Sequence, residues 1–183
     1  NMALTGTALA AKRKGNHIIT TAVEHPSVKA TASFLEEQGF RITFLSVDSR
    51  GQISLEELKE ALTPDTILVS IMYVNNEIGT IQPIEEAAKL VHATVPGAVF
   101  HVDAIQAYGK VMIRPKQQGI DLLSVSSHKF HGPKGAGFLY CSSKVNLHPI
   151  IFGGGQQSGM RSGTENVPAI AGPVSYTHLT LPT

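Results

Sequence analysis

Lys129 stands in the segment Ser124-Val125-Ser126-Ser127-His128-Lys129-Phe130-His131-Gly132, directly after the apolar run Leu122-Leu123-Ser124-Val125. The pattern predicts a buried strand that ends in a polar, glycine-bounded loop carrying a lysine. Upstream, Ala98-Val99-Phe100-His101-Val102 predicts a second strand, and this one ends in Asp103. An amine at one strand exit and a carboxylate at another are what pyridoxal 5'-phosphate (PLP) chemistry requires. The amine condenses with the aldehyde of the cofactor. The carboxylate keeps the pyridine nitrogen protonated, so that the ring can accept electrons.

The elements that must position these groups alternate along the chain. Strands are expected at His17–Val23, Arg41–Val47, Thr66–Tyr73, 98–103 and 122–126. Helical spacing covers Ser27–Gln38, where Gly39 stops it, and the stretch after Pro83, where Ile84, Ala87, Ala88 and Val91 share a face. Ser54-Leu55-Glu56-Glu57 predicts a capping box that opens a short helix through Leu62. A last strand, Ala136–Cys141, follows a tight turn and is expected to run antiparallel. Repeated β–α–β units imply an α/β fold with a mostly parallel sheet and helices on both faces. Ligands of such sheets sit beyond the carboxyl ends of the strands. His25, Asn75, Asn76, Glu77, Asp103, Gln106, Ser126, Ser127, His128 and Lys129 all follow strand ends, which predicts one shared polar rim.

Composition excludes other classes. The 183 residues suit one domain, and 15 Lys plus Arg balance 14 Asp plus Glu. No basic stripe suggests nucleic acid, and no apolar run approaches the ~20 residues of a membrane span. The single cysteine, Cys141, leaves no internal disulfide, which makes a reducing cytoplasm the expected location.

Taken singly, the rim residues keep other readings open. Asp103 either meets a ligand or caps a helix starting near Ala104, and Gln106 either closes that cap or reaches the same ligand. His25 either caps the helix after it or stacks on a flat ring. Ser126, Ser127 and His128 are loop polarity or phosphate donors. His25, His101, Asp103, His128 and His131 are also metal-ligand types, but a metal reading leaves Lys129, Asn76 and Gln106 without a role.

Together the segments resemble the cysteine desulfurases, the NifS/IscS-like PLP enzymes related to class V aminotransferases. The resemblance runs from about Asn1 to Gly172. It rests on Thr21-Ala22-Val23-Glu24-His25, Met72-Tyr73-Val74-Asn75-Asn76-Glu77-Ile78-Gly79, His101-Val102-Asp103-Ala104-Ile105-Gln106, Ser126-Ser127-His128-Lys129, and Gly153-Gly154-Gly155-Gln156-Gln157 with Met160-Arg161-Ser162-Gly163-Thr164. It implies a fold type I large domain and a cytoplasmic, PLP-dependent homodimer. Lys129 would hold the cofactor and move protons, and Asp103 would pair with the ring nitrogen. His25 would stack on the ring, and Asn76 and Gln106 would bond its hydroxyl side. Ser126 and His128 would hold the phosphate, and Thr164 would reach the phosphate of the partner subunit. The implied reaction converts L-cysteine to L-alanine. The sulfur passes as a persulfide to an acceptor such as an iron–sulfur scaffold or a tRNA-thiolation protein.

The departures from that family are equally specific. A Gly-Ala-Thr-Glu phosphate loop is expected just before the position of Asn1, and the persulfide cysteine with its small domain well beyond Gly172. Neither is present, and Cys141 does not match the catalytic position. Residues 1–172 therefore read as a partial large domain truncated at both ends, inactive alone in sulfur transfer. Residues 173–183 read as a non-native tail. A selenocysteine lyase or another class V enzyme, a non-catalytic scaffold that keeps the pocket, and a His/Asp metal enzyme are the alternatives.

Overall fold

A computed structural model describes residues 1–172; the tail expected at 173–183 lies outside the described residues. Ten regular elements follow in the order α1 (Met2–Ala11), β1 (His17–Thr21), α2 (Pro26–Glu37), β2 (Arg41–Leu45), α3 (Leu55–Ala61), β3 (Thr66–Met72), α4 (Ile84–Thr94), β4 (Val99–Asp103), β5 (Leu122–Ser126) and β6 (Gly137–Cys141). They build a six-stranded sheet in the order β2-β1-β3-β4-β5-β6. Every neighbouring pair is parallel except β5–β6, which is antiparallel as the sequence predicts.

All seven residues of β3 are buried, as an apolar strand covered on both faces must be. Alternate side chains feed two cores. Ile19, Val69, Ile71, Phe100 and Val102 pack under α3 and α4. Ile18, Leu68 and Leu122 pack with α1, α2 and Leu147 on the other face. Helix α2 opens on His25, has Pro26 in its first turn and is followed by Gly39 at φ +89°. Only half of the expected capping box forms at α3. Ser54 Oγ accepts from Glu57 N at 3.2 Å, but the Glu57 carboxylate accepts instead from Ser46 N at 2.9 Å.

Two segments differ from the expectation. Helix α1 is not announced by periodicity, because its small and apolar residues give no single stripe. It lies where the segment around Leu147 and His148 crosses it closely; a Cβ on Gly6 would sit 2.9 Å from the His148 carbonyl. Past Asp103 no regular helix forms. The chain makes successive turns through 104–110, and Gly109, at φ +78°, ends them.

The entry to β1 tolerates no side chain at Gly15. A Cβ there would stand 2.3 Å from the Asp65 carbonyl oxygen, and the same carbonyl accepts the His17 N–H at 3.1 Å. Gly15→Ala is therefore expected to destabilise the chain by about 2 kcal/mol, read as a lower urea midpoint with an unchanged m-value.

Candidate active site

The carboxyl ends of the parallel strands open on a cavity of about 220 Å³ lined by His25, Asn76, Asp103, Gln106, Ser126, His128 and Lys129, together with Ser27, Met72, Val74 and Ile105. Of the candidates named from the sequence as PLP contacts, His25, Asn76, Asp103, Gln106, Ser126, His128 and Lys129 lie on this rim, and Ser127 and Thr164 do not. Thr164 is exposed, in the segment after the short turn at Gln156–Gly159, and lines no part of the cavity. A wider groove of about 530 Å³ lies elsewhere, between β2 and α3, and holds none of these residues.

Each side chain is placed by its backbone. Asp103 ends β4 in register with Ser124 of β5, and Met72 of β3 lies opposite it on the other side. Its Oδ1 accepts the Ile105 N–H at 3.0 Å, so the capping reading is correct in its bond but not in its helix. Oδ2 takes no hydrogen bond among the described residues. Asp103 is only 6% exposed, and burial pushes its carboxyl above the ordinary range, opposed by the Ile105 N–H and by His25.

Lys129 lies in a 3₁₀ turn, Ser127–Lys129, immediately after β5. Ser127, which the sequence offered as a phosphate donor, is buried and works on the loop instead. Its hydroxyl donates to the Ala136 carbonyl at 2.8 Å and to that of Pro133, and its carbonyl accepts from Gly132 N at 2.9 Å. The next residue after Lys129, Phe130, is buried, with its ring 4.9 Å from that of Tyr108. The loop is thus pinned on both sides of Lys129. The Lys129 ammonium itself is exposed and makes no hydrogen bond or ion pair among the described residues.

His25 accepts the Ser27 N–H at Nδ1, 3.2 Å away, which assigns the proton of the neutral ring to Nε2. Among the described residues, the ring face and Nε2 remain uncommitted at the cavity. His25 thus caps α2 and also lines the pocket. Across the rim, Ser126 Oγ lies 2.8 Å from His128 Nδ1. Asn75 shapes the β3 exit. Its Oδ1 accepts from Glu77 N and Ile78 N at 2.9 and 3.0 Å, and this leaves the neighbouring Asn76 at the cavity. Among the described residues, the Gln106 side chain takes a long contact, 3.5 Å, from Lys110 Nζ.

The metal-ligand types named from the sequence do not form one ligand set among the described residues. His101 is inside the sheet, bonded to Ser70 Oγ and Ser124 Oγ at 2.8 Å each. No three His, Cys, Asp or Glu side chains among the described residues are grouped to hold a metal ion. Cys141 is also remote. It pairs with Leu122 at the start of β5, while the cavity lies at its end, about 13 Å away at the rise of a strand. Burial pushes its thiol up, with Asp121 adding to the shift, so it is a poor thiolate.

The donor set suits a flat, anionic heteroaromatic aldehyde. It offers an unpartnered amine, a buried carboxylate with a free oxygen for a ring N–H, an open imidazole face, and a hydroxyl–imidazole pair for an anion. The sequence did not single out Glu24, which is 3% exposed in the exit of β1. Its place between Val23 and His25, in a segment otherwise fit for burial, was the available signal.

Residues 1–175 match the Aminotransferase class-V family. Over 172 residues the chain is 55% identical to the putative cysteine desulfurase IscS 1 of Bacillus subtilis, covering 94% of this chain and 45% of that protein. A solved NifS-like protein superposes with a TM-score of 0.94 at 43% identity, over 97% of this chain and 49% of the other. SspA in complex with cysteine superposes with a TM-score of 0.92 at 39% identity, over 100% of this chain and 53% of the other. The chain thus spans about half the length of the relatives it matches. Among the described residues no helix is long and apolar enough to cross a membrane. With a match over nearly its whole length, the chain belongs to the class V aminotransferase family.

Proposed function

We propose that this chain forms the PLP-binding part of a cysteine desulfurase, with L-cysteine as substrate and a thiol as sulfur acceptor. One observation carries the reading: Lys129 and Asp103, from separate strand exits, line one cavity, with the ammonium and one carboxylate oxygen unpartnered among the described residues. The similarity to cysteine desulfurases and to a protein solved with cysteine supports it. The overall change is L-cysteine plus an acceptor thiol giving L-alanine and a persulfide.

When bound, PLP supplies an electron sink for cleavage at the substrate's α and β carbons. The residues do the rest. Lys129 Nζ would hold the cofactor covalently and would move a proton at the substrate carbon. Asp103 keeps the ring nitrogen protonated, and the incoming cation offsets the burial of its carboxylate. His25 covers one face of the ring and excludes water from it. Asn76 and Gln106 orient the ring hydroxyl, Asn76 standing also near the substrate carboxylate. Ser126 and His128 donate to the phosphate, and Thr164 serves the pocket of a second subunit in a homodimer. The persulfide forms on a cysteine other than Cys141, since that thiol lies at the opposite end of β5. Delivery to an iron–sulfur scaffold or a tRNA-thiolation protein follows from the same reading, in a cytoplasmic setting.

The test is a titration of the purified chain with PLP, followed in the visible range. Wild type is expected to give a yellow chromophore that borohydride fixes to Lys129, found by peptide mapping, and Lys129→Ala is expected to give none. A chromophore fixed to another lysine, or none in a folded wild-type chain, would sink the reading.

A further inference from the structure

The crevice between β1 and β3 is where the sheet order reverses, since β2 continues on one side and β4 on the other. Two side chains cross it. Glu24 Oε1 accepts the Met72 N–H at 2.7 Å and the Thr21 hydroxyl at 3.0 Å. Asn75 Nδ2 donates to the Val23 carbonyl at 3.0 Å. Each is the residue immediately before a cavity residue, His25 and Asn76 respectively. Met72 lines the cavity itself and lies in register with Asp103.

We propose that Glu24 is a positioning residue for this pocket: by fastening the exit of β1 to the exit of β3, it sets the His25 ring and the Met72 wall against Asp103. The inference rests on the PLP reading for its purpose and on the hydrogen bonds for its geometry. A surface carboxylate would not serve. Glu24 is enclosed, and its Oε2 is buried without a hydrogen-bond partner among the described residues. Such an oxygen is tolerable when the acid is neutral and costly when it is charged. Burial accordingly pushes its pKa up to about 8, against the Met72 N–H and the Thr21 hydroxyl, which pull it down. The charged groups that face it are Asp103 from β4, which raises it further, and Lys29 from α2, which lowers it. Near neutral pH the fastening is therefore a neutral acid. Ionisation would place a second negative charge beside Asp103 and against the residue that carries the ring.

Two readouts test this. In the ligand-free chain, the His25 imidazole resonances are expected to show an inflection near pH 8 that follows the ionisation of Glu24. Glu24→Gln, which keeps an acceptor for Met72 N and Thr21, is expected to abolish that inflection. With PLP, Glu24→Gln should bind within about twofold of wild type, while Glu24→Ala should bind about tenfold more weakly. A wild-type His25 with no alkaline inflection would overturn the proposal, and so would Glu24→Ala with wild-type affinity. Should the alanine variant not fold, the glutamine variant decides: an inflection that survives in it overturns the proposal. A wild-type chain that bound no PLP would end the cofactor reading alone, since the ionisation of Glu24 read at the His25 resonances needs no ligand.

Discussion

Replacing His101 by alanine is expected to cost the chain about 4 kcal/mol at pH 7. The ring is 1% exposed in the middle of β4, with Ser70 of β3 on one nitrogen and Ser124 of β5 on the other, each at 2.8 Å. A neutral imidazole has one donor and one acceptor, so one serine accepts and the other donates. Alanine would leave a cavity and two buried hydroxyls without that partner. The same burial holds the imidazole pKa down, to about 3. The sign follows from that direction. Below the ordinary value of 6.5 the unfolded chain binds a proton that the folded chain refuses, so stability is lost as pH falls from 6.5 towards 3. The alanine variant lacks this liability. Its deficit against wild type should therefore shrink by about 2–3 kcal/mol between pH 7 and pH 4.5. Urea unfolding of both proteins at the two pH values measures it. A constant gap would mean that the ring is not kept neutral by its surroundings.

The strands were legible because burial on both faces demands long apolar, β-branched runs, and Thr66–Met72 has nothing else to be. The rim was legible for a topological reason. In a parallel sheet every strand exits on the same side, so His25, Asn76, Asp103, Ser126 and Lys129, each just past a strand, had to meet. What periodicity missed was structure set by contacts far along the chain. Helix α1 has no stripe because the sheet covers one side of it and the Leu147 segment another. The stretch after Asp103 has helix-compatible residues, but the loop that turns at Gly109 must bring Tyr108 under Phe130. Ser127 looked like a ligand donor because sequence shows a hydroxyl, not the two carbonyls that consume it. Glu24 was not singled out for the same reason: its burial exists only once β1 and β3 are side by side.

Asp103→Asn is expected to move stability and chemistry in opposite directions. The amide keeps an oxygen for the Ile105 N–H and nearly the same volume. It removes a carboxylate whose burial raises its pKa, a shift that the Ile105 N–H, His25 and the N-terminal ammonium only partly oppose. For an acid raised in the fold, the stabilising contribution is full below the ordinary value of 3.8 and is lost as pH rises through the folded value. At neutral pH the neutral amide should therefore raise the urea midpoint of the ligand-free chain above that of wild type. With PLP present, the amide cannot hold a proton on the pyridine nitrogen, and the ring loses most of its capacity to accept electrons. Exchange of the α-hydrogen of L-cysteine into D₂O, a reaction that needs the pocket but no persulfide cysteine, should then slow on the order of 10²–10³-fold. Unfolding with and without PLP separates the effects, because bound cofactor should raise the wild-type midpoint more than that of Asp103→Asn. If the variant were less stable than wild type without ligand and exchanged as fast with it, Asp103 would be an ordinary turn cap rather than the partner of the ring. The buried carboxylate, in this view, is a cost carried by the empty fold and offset only when the pocket is filled.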